Sequence, residues 1–439
     1  MKASEALAKI PVVSMAKDKH DPRGLRRARY LVQFATLVAL ILIPASGLFR
    51  IDMSSGFIVL DRQVWFSDFL IVFGLWLAIA CTLILIYSTL GTVFCGWVCP
   101  QNTFSSLANH FTFKHLGKRA VIDWHNKDKA KLAARKNHLG NWLLLGLKLL
   151  AMAMLVALIP LFYFYPPEAV WAFMTFAEDA RLAGSLHWIY TVFVFILFVN
   201  FAVIRHFTCR YMCIYRMWQF LFKTKDTLHI EYDASRAADC EKCQYCLTAC
   251  MVEIDPRKTS TYDSCTNCGA CITACDTMHA KKGEKGLLRF KFGPRSNKSV
   301  DPARSIATVK ERLAWVMPVW LLGVGLFAWG LYSYQPYHLT AYNASKAHGQ
   351  QINEYRINLA SKVLHPATLQ ISVEGLDPAQ YQLSKQRVHF DTAGREDIFI
   401  RLEPMPAGLH TFLVRARADD GWEASYRLQH YVAEGRNDE

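Results

Sequence analysis

Long apolar segments, separated by short polar and basic segments, dominate the first three quarters of the 439-residue chain. Five of them approach the ~20 apolar residues that a helix needs to cross a bilayer. These are residues 30–49, 69–90, 142–165, 187–204 and 313–334. The first is too long and too far from the start for a signal peptide, and no small-residue cleavage site clearly follows it. The pattern predicts an integral membrane protein built on an α-helical bundle of about five spans.

The charges between these spans predict how the chain is inserted. The segment before the first span and the connection between the second and third spans are rich in lysine and arginine, whereas the connections after the first and third spans are mostly acidic. Because short basic loops stay in the cytoplasm, we expect residues 1–29, 114–136 and 236–285 to be cytoplasmic. Residues 335–439 are then periplasmic, and the protein is placed in the bacterial inner membrane.

The composition agrees with this location. Hydrophobic residues make up 52% of the chain, and the formal net charge is +14. Basic clusters beside the spans, facing anionic lipid of the bilayer, account for most of this charge, so we expect no nucleic-acid partner. All 13 cysteines lie at or before Cys275, so no disulfide is expected in the outer region.

After the last span the pattern changes to alternation with a period of two, which is typical of strands. Such segments occur at 367–374, 387–391, 397–402, 410–416 and 425–433, with turn-forming residues between them. Short strands at this spacing predict a C-terminal all-β domain, an immunoglobulin-like sandwich over residues 335–439. The other expected parts are a four-span membrane domain at 30–235, a basic linker at 286–312 and a fifth span at 313–334.

Two copies of one cysteine spacing lie between residues 240 and 275. Each copy reads Cys-x-x-Cys-x-x-Cys-x-x-x-Cys. The first run is Cys240, Cys243, Cys246 and Cys250, and the second is Cys265, Cys268, Cys271 and Cys275. This is the ligand pattern of a bacterial ferredoxin with two 4Fe-4S clusters, in which the last cysteine of each run binds the other cluster.

The crossed ligation has a geometric reason, since a short loop wraps three corners of a cube and the fourth corner is reached only from the partner run. We therefore assign one 4Fe-4S cluster to Cys240, Cys243, Cys246 and Cys275, and the second to Cys265, Cys268, Cys271 and Cys250. The alternative is zinc sites or disulfides, but zinc would use only four of the eight thiols. Residues 236–285 are predicted to form a ferredoxin-like α+β module.

Four further cysteines follow predicted spans. Cys95 and Cys99 lie after the second span, and Cys209 and Cys213 lie after the fourth, at the same membrane depth. If each pair is helical, a spacing of four puts both thiols on one face, so that four sulfurs could converge. Soft thiolates favour Cu(I), zinc or iron–sulfur iron. The four residues are candidates for a redox or metal site, and the alternative is that they only pack as small apolar groups.

Three more side chains share these segments. His206 and Met217 continue the helical spacing of Cys209 and Cys213 as one stripe, which makes them candidate metal ligands. Each also has an ordinary explanation, because histidines occur at membrane interfaces and methionines fill apolar space. Cys81 lies alone in the middle of the second span and is expected only to pack.

At these residues the chain resembles the CcoG family, also called FixG or RdxA, the accessory proteins for assembly of C-type haem–copper cytochrome oxidase. The resemblance runs over most of the chain. It includes CGWVCPQ at 95–101, CRYMCIY at 209–215, KDTL at 225–228, YD at 232–233, IDPR at 254–257 and CITACD at 271–276. Members usually have proline where this chain has Ile214 and Met251.

The resemblance implies five spans, a cytoplasmic two-cluster ferredoxin and an outer immunoglobulin-like domain. It also implies reduction of Cu(II) to Cu(I) for delivery to the oxidase, with the CxxxC cysteines as the copper or electron-exit site. The implied partners are a cytoplasmic electron donor that the sequence does not identify, copper ions, and oxidase assembly factors or a copper chaperone.

The sequence thus predicts a membrane-anchored cupric reductase that works by electron transfer. No acid/base dyad, phosphate loop or nucleophile triad is visible, so bond-making catalysis is not expected. Two alternatives stay open. One is an electron-transfer subunit of a quinol- or flavin-linked respiratory chain, with a further cluster at the CxxxC pairs. The other is a non-redox assembly scaffold that grips a client with its outer domain.

Overall fold

The computed structural model describes eight stretches of the chain, namely residues 24–52, 56–60, 62–117, 134–240, 243–260, 263–293, 307–343 and 354–432. Residues 1–23, 118–133 and 294–306, which hold much of the predicted N-terminal segment, basic loop and linker, lie outside the described residues. The chain divides into two compact units. The first contains residues up to Ala45 and Trp76–Val324, and the second contains Ser46–Leu75 and Gly325–Glu439.

The α-helices and strands alternate along the described residues. The helices are α1 (Gly24–Ala45), α2 (Phe69–Thr89), α3 (Val93–Trp97), α4 (Pro100–Leu116), α5 (Leu139–Phe164), α6 (Pro167–Thr175), α7 (Leu186–Val199), α8 (Tyr215–Phe222), α9 (Tyr245–Thr248), α10 (Ala270–His279) and α11 (Val309–Tyr332). Two π-helical turns, Asn200–Ile204 and Thr208–Met212, follow α7. The strands are β1 (Phe49–Asp52), β2 (Gly56–Val59), β3 (Arg62–Trp65), β4 (His229–Tyr232), β5 (Leu288–Lys291), β6 (Tyr337–Asn343), β7 (Glu354–Ser361), β8 (Ala367–Glu374), β9 (Tyr381–Leu383), β10 (Arg387–Phe390), β11 (Gly394–Leu402), β12 (Gly408–Ala418) and β13 (Glu423–Val432).

Five helical segments of the described chain are long and apolar enough to cross a membrane: α1, α2, α5, α7 with its π-helical extension to Ile204, and α11. All five coincide with predicted spans, but some of their ends differ. α1 begins at Gly24 instead of residue 30, so it includes Arg29. A helix can start before its apolar stretch when a long charged side chain reaches a polar partner. Arg29 does so, because its Nε donates to the backbone oxygen of Gly96 at 2.9 Å.

The helical core of the first unit lies where α4, α5 and α7 meet. Its buried residues include Phe104 and Ala108 of α4, Ala153 and Ala157 of α5, and Phe201 just after α7. The three alanines are fully buried, and small side chains at such positions let helix backbones approach closely. This packing fixes the ends of α4 and α7, which carry the segments with the CxxxC cysteines.

The second unit contains a three-stranded antiparallel sheet in the order β1-β2-β3, which the sequence pattern did not predict. Each strand has only four residues, too few for a clear period-two signal. Gly56 begins β2 with a φ of +141°, and a Cβ there would lie 2.4 Å from the backbone oxygen of Val64. The close pairing of β2 with β3 therefore requires glycine at this position.

The C-terminal region forms two four-stranded antiparallel sheets in the orders β6-β7-β11-β9 and β10-β8-β12-β13. Both sheets contribute to one hydrophobic core, to which Ile357, Leu369, Ile398, Phe412 and Val414 belong. The five predicted strands correspond to β8, β10, β11, β12 and β13, and the prediction for β8 matches its ends. β6, β7 and β9 were not predicted.

Adjacent residues of β11 give a direct test of this core. Ile398 is fully buried, whereas its neighbour Phe399 points the other way and is 39% exposed. We expect Ile398→Ala to lower the free energy of unfolding of this region by about 2–5 kcal/mol, because the truncation leaves a cavity. Phe399→Ala should cost no more than about 1 kcal/mol. Pulse proteolysis of the full chain in detergent across a urea series measures both, and equal losses would contradict the shared core.

Candidate functional site

The cysteines of the two runs line two separate cavities in the first unit. The first cavity is lined by Tyr232, Arg257, Leu288 and four cysteines: Cys240, Cys243, Cys246 and Cys275. The second cavity is lined by Ile230, Val252, Pro256 and four cysteines: Cys250, Cys265, Cys268 and Cys271. Each cavity combines three cysteines of one run with the last cysteine of the other. The structure thus brings the thiols together in the groups that the crossed assignment requires, and the ligation itself stays a prediction.

The same backbone turn positions the third cysteine of each run. The residue after the second cysteine has left-handed backbone in both, with a φ of +59° at Gln244 and +72° at Gly269. A helix begins immediately after each turn, so that Cys246 falls in the first turn of α9 and Cys271 in the first turn of α10. Glycine adopts this conformation readily, as at Gly269, whereas Gln244 adopts it although it has a side chain.

Helix α10 and the strand pair β4–β5 join the two cavities. α10 carries Cys271 into the second cavity and, one turn later, Cys275 into the first. Ile230 of β4 and Leu288 of β5 are buried against these cysteines, together with Ile272. The cavities therefore share their supporting elements, and a displacement of α10 would alter both.

The chemistry of the cavity walls suits two iron–sulfur cubes. The backbone N–H of Leu287 donates to Cys275 Sγ at 3.3 Å. Burial raises the pKa of the Cys250 thiol, and the N–H groups of Ile254 and Val252 oppose that rise. Hydrogen bonds to sulfur and burial are the means by which proteins tune such clusters.

Neither CxxxC pair lies on one regular helix, so the expectation of a shared helical face is wrong. Cys95 is in α3, but Cys99 is extended, with φ −61° and ψ 121°, just before Pro100 begins α4. A residue that precedes proline is forced out of the helical region, and the helix breaks there. Cys209 lies in the second π-helical turn, and Cys213 that follows it is extended as well.

The predicted stripe of His206, Cys209, Cys213 and Met217 does not form either. Arg205 has a φ of +46° and separates the two π-helical turns, so the four residues do not share one helix. His206 is buried, whereas Met217 of α8 is 65% exposed. The helical spacing in this segment therefore does not translate into one face.

His206 and Cys81 have surroundings of different kinds. The ring nitrogens of His206 lie 3.1 Å from Asn102 Oδ1 and 3.3 Å from Asn109 Nδ2, so amides of α4 hold both. His206 thereby fastens α4 to the segment that carries Cys209. Cys81 is buried in the middle of α2. Ligation by His206 or Met217 stays a prediction that these contacts do not support.

The four CxxxC thiols nevertheless lie close enough to influence one another; we call them the thiol cluster. Burial raises the pKa of Cys209 to about 12, and the charges of Cys99, Cys95 and Cys213 add to the rise. Burial also raises the pKa of Cys95 to about 12. The Gln219 side chain opposes this by donating from Nε2 to Cys95 Sγ at 2.7 Å. Protonated thiols in such a place give up their protons when a metal replaces them.

The first CxxxC turn is packed directly on the loop that supplies the second cavity. Thr92 Oγ1 donates to the backbone oxygen of Cys265 at 2.7 Å, and Trp97 Nε1 donates to that of Asn267 at 3.0 Å. Gly96 lies between these contacts. A Cβ at Gly96 would lie 2.7 Å from Cys268 Cα, so only glycine permits the approach.

Several of these residues were not predicted from the sequence. Gln219 is a polar residue outside any motif, and its side chain acts on Cys95, far away along the chain. Asn267 stands inside the second cysteine run, and its backbone oxygen accepts from the distant Trp97. Trp97 and Gly96 stand between the two cysteines of the first CxxxC motif, so the motif itself could have indicated that they matter. Lys223, which lowers the pKa of Cys95 by its charge, follows α8 and carried no signal.

Two family models match the chain at these sites. A model described as a 4Fe-4S binding domain matches residues 72–119, which include Cys95 and Cys99. A model described as a 4Fe-4S dicluster domain matches residues 235–292, which include both cysteine runs. The chain therefore contains two domains of 4Fe-4S binding type.

The relatives found by sequence carry related names. "Nitrogen fixation protein FixG" of Rhizobium meliloti (strain 1021) is 24% identical over 300 residues, which are 60% of this chain and 55% of that protein. "Protein RdxA" of Cereibacter sphaeroides is 28% identical over 250 residues, 53% of this chain and 51% of that protein. The chain spans about half the length of these curated relatives.

A solved structure of a FixG-related protein from Vibrio parahaemolyticus also matches, with 10% identity and a TM-score of 0.20. The match covers 22% of this chain and 97% of that one. The two cysteine runs and the two family models make the chain an iron–sulfur electron-transfer protein. With the matches to FixG and RdxA, they show that it belongs to the FixG/CcoG/RdxA family.

Proposed function

We propose that this protein is a multi-pass inner-membrane electron-transfer protein that reduces Cu(II) to Cu(I) at the thiol cluster. In this proposal the first and second cavities hold the two 4Fe-4S clusters, and Cu(II) is the substrate. The Cu(I) that forms serves the assembly of a C-type haem–copper oxidase, through assembly factors or a copper chaperone. The resemblance to the CcoG family supports the oxidase, and the thiolate chemistry supports copper.

One observation carries the proposal: the turn that bears Cys95 and Cys99 packs on the loop that bears Cys265 and Cys268. A site of four thiols with no redox partner nearby could only store a metal. Direct backbone contact with a cysteine-lined cavity instead gives the thiol cluster a short connection to an electron source.

The residues of the chain have distinct tasks in this reaction. A 4Fe-4S cube, when bound, takes up and releases one electron at a time, and the eight cysteines of the runs hold the two cubes. A one-electron donor is oxidised, and one Cu(II) ion is reduced to Cu(I), so charge balances without bond-making catalysis. Soft thiolates of the thiol cluster retain Cu(I) in preference to Cu(II). Lys223 and the Gln219 amide offset the negative charge that these thiolates carry.

A second candidate function has its own support. The family model that matches residues 72–119 is described as 4Fe-4S binding and covers Cys95 and Cys99. The thiol cluster would then hold a further cluster, with no copper, in an electron-transfer subunit of a respiratory chain. Metal content distinguishes the two candidates, because copper and iron occupy the same four thiols.

The membrane arrangement belongs to the proposal as well. We propose that the N-terminus and residues 236–285 are cytoplasmic, and that the two C-terminal sheets form an immunoglobulin-like domain in the periplasm. The five apolar helices and the basic segments beside them support this arrangement.

Reporter fusions test the arrangement. We expect green fluorescent protein fused at Lys298 to be active and alkaline phosphatase fused there to be inactive, because basic segments remain in the cytoplasm. After Arg427 we expect the reverse. Alkaline phosphatase and green fluorescent protein fusions measure this in cells, with a fusion after Lys136 as a second inside position. A phosphatase that is active at Lys298 would place the cysteine runs on the oxidising side and refute the arrangement.

The crossed ligation between the two cysteine runs can be tested by substitution. Cys243→Ser and Cys275→Ser should each lose about four irons, and both should remove the same EPR signal, since the two thiols line the first cavity. Cys268→Ser should remove the other signal. EPR of the dithionite-reduced protein, with iron and sulfide assays, is the measurement. Pairing of Cys275 with Cys268 would show that the ligation is not crossed.

The metal at the thiol cluster decides between the two candidate functions. Cys99→Ser and Cys213→Ser should keep the iron of both cavities, lower copper affinity by at least about tenfold and abolish Cu(II) reduction, because a ligand is lost. Cys81→Ser is the matched control for loss of a buried thiol and should behave as wild type. Anaerobic purification with copper, iron and sulfide quantitation gives the answer. Loss of iron instead of copper would favour the additional cluster, and wild-type copper reduction by both variants would exclude the site.

A further inference from the structure

The second cavity is joined to both halves of the thiol cluster. On one side, Thr92, Gly96 and Trp97 contact the loop from Cys265 to Cys268. On the other, Arg210 of the second CxxxC segment forms a 3.1 Å ion pair with Glu253, three residues after Cys250. The loops that line the second cavity therefore touch both CxxxC segments.

A third contact reinforces this attachment. Ser106 Oγ of α4 donates to Met251 Sδ at 3.1 Å, and Met251 lines the second cavity. α4 begins directly after Cys99, so the same helix that follows the first CxxxC pair also touches the run that ends in Cys250. Three chain segments thus fix the second cavity against the thiol cluster.

The first cavity has the opposite character. Cys243 is the exposed member of the thirteen cysteines, all of which lie in the described residues. Tyr245, which also lines this cavity, is 54% exposed. Cys271 on the side of the second cavity is only 5% exposed. The edge of the first cavity at Cys243 is therefore accessible from solvent.

We propose that the two cavities have fixed places in the electron path: the first cavity is the entry for electrons from a soluble donor, and the second cavity is the exit toward the thiol cluster. The inference rests on the proposed function, because it needs an acceptor at the thiol cluster. In each turnover one donor molecule loses one electron and one acceptor ion gains it.

Gly96 and Trp97 are the positioning residues of the exit. Gly96 permits the backbone approach, since an added Cβ would lie 2.5 Å from the oxygen of Thr266. Trp97 fixes the carbonyl of Asn267, whose side-chain Oδ1 lies 3.5 Å from Cys265 Sγ. Both contacts reach the loop from Cys265 to Cys268, so a change at either residue acts first on the second cavity.

Gly96→Ala in the full chain, purified anaerobically in detergent, tests the order. The variant should retain wild-type iron and sulfide, and the midpoint potential of one cluster alone should shift in an EPR-monitored redox titration. Reoxidation of the reduced protein by Cu(II) should slow by at least about tenfold, because a small displacement at the transfer site is costly. Reduction by dithionite should keep its wild-type rate. Gly146→Ala is the matched control, since no atom lies within 4 Å of a Cβ there.

The shifted cluster is identified without removing a ligand. A water-soluble nickel(II) chelate should speed the electron-spin relaxation of the cluster at the exposed first cavity, and the shifted cluster should be the other one. Trp97→Phe, which removes a single hydrogen bond, should give a smaller shift of the same cluster and keeps the test valid if Gly96→Ala does not fold. A shift of the nickel-sensitive cluster, or of neither cluster, would overturn the order. If Cu(II) does not reoxidise the wild-type protein, the proposed copper reduction is refuted. The midpoint potentials of the two clusters still decide which cavity adjoins the thiol cluster.

Discussion

The last cysteine of each run must cross to the other cavity, and the fold around both cavities depends on this exchange. The apolar core beneath them is small: among the described residues, its buried members apart from cysteine are Ile230, Ile272 and Leu288. A core of this size cannot hold a folded module on its own. Cysteines from both runs instead surround each cavity, so clusters bound there would close two loops at once and contribute directly to folding. Because the pattern is crossed, the two sites form one cooperative unit. Helix α10 supports both, since it carries one cysteine of each cavity.

The two segments that carry the CxxxC cysteines are held by polar contacts instead of regular helix. Asn102 of α4 donates to the backbone oxygen of Cys95 at 2.7 Å and also meets the ring of His206. Gln101 and Asn200 exchange hydrogen bonds of 2.8 and 3.0 Å. In a partly buried site such amide pairs are directional, because an unpaired polar group is costly there. They fix the broken backbone that carries the four thiols, which influence one another's pKa although neither pair shares a helix.

The features that the sequence predicts well are those whose signal lies within a short stretch of the chain. Spans, the strand at 367–374 and the grouping of eight cysteines are local patterns, in which spacing alone fixes which residues share a face or a loop. The helical model of the CxxxC pairs failed because Pro100 breaks the first pair, and because the second lies in a π-helical turn that ends at an extended Cys213. Gln219 acts on Cys95 across 124 positions, and no local pattern contains such a pairing. The short strands β1–β3 were missed because four residues carry too little alternation.

The exposed edge at Cys243 has a chemical cost. A sulfur that a donor can approach is also open to dioxygen and peroxide, which carry the thiolate, when no cluster is bound to it, toward sulfenic and then irreversible sulfinic acid. Cys271, buried at the other end of the module, is shielded by its position. Damage in air should therefore begin at the rim and advance inward, so that the solvent-facing half of the module is its point of vulnerability. A cell that keeps this protein working would have to renew that half, or limit the oxygen that reaches it.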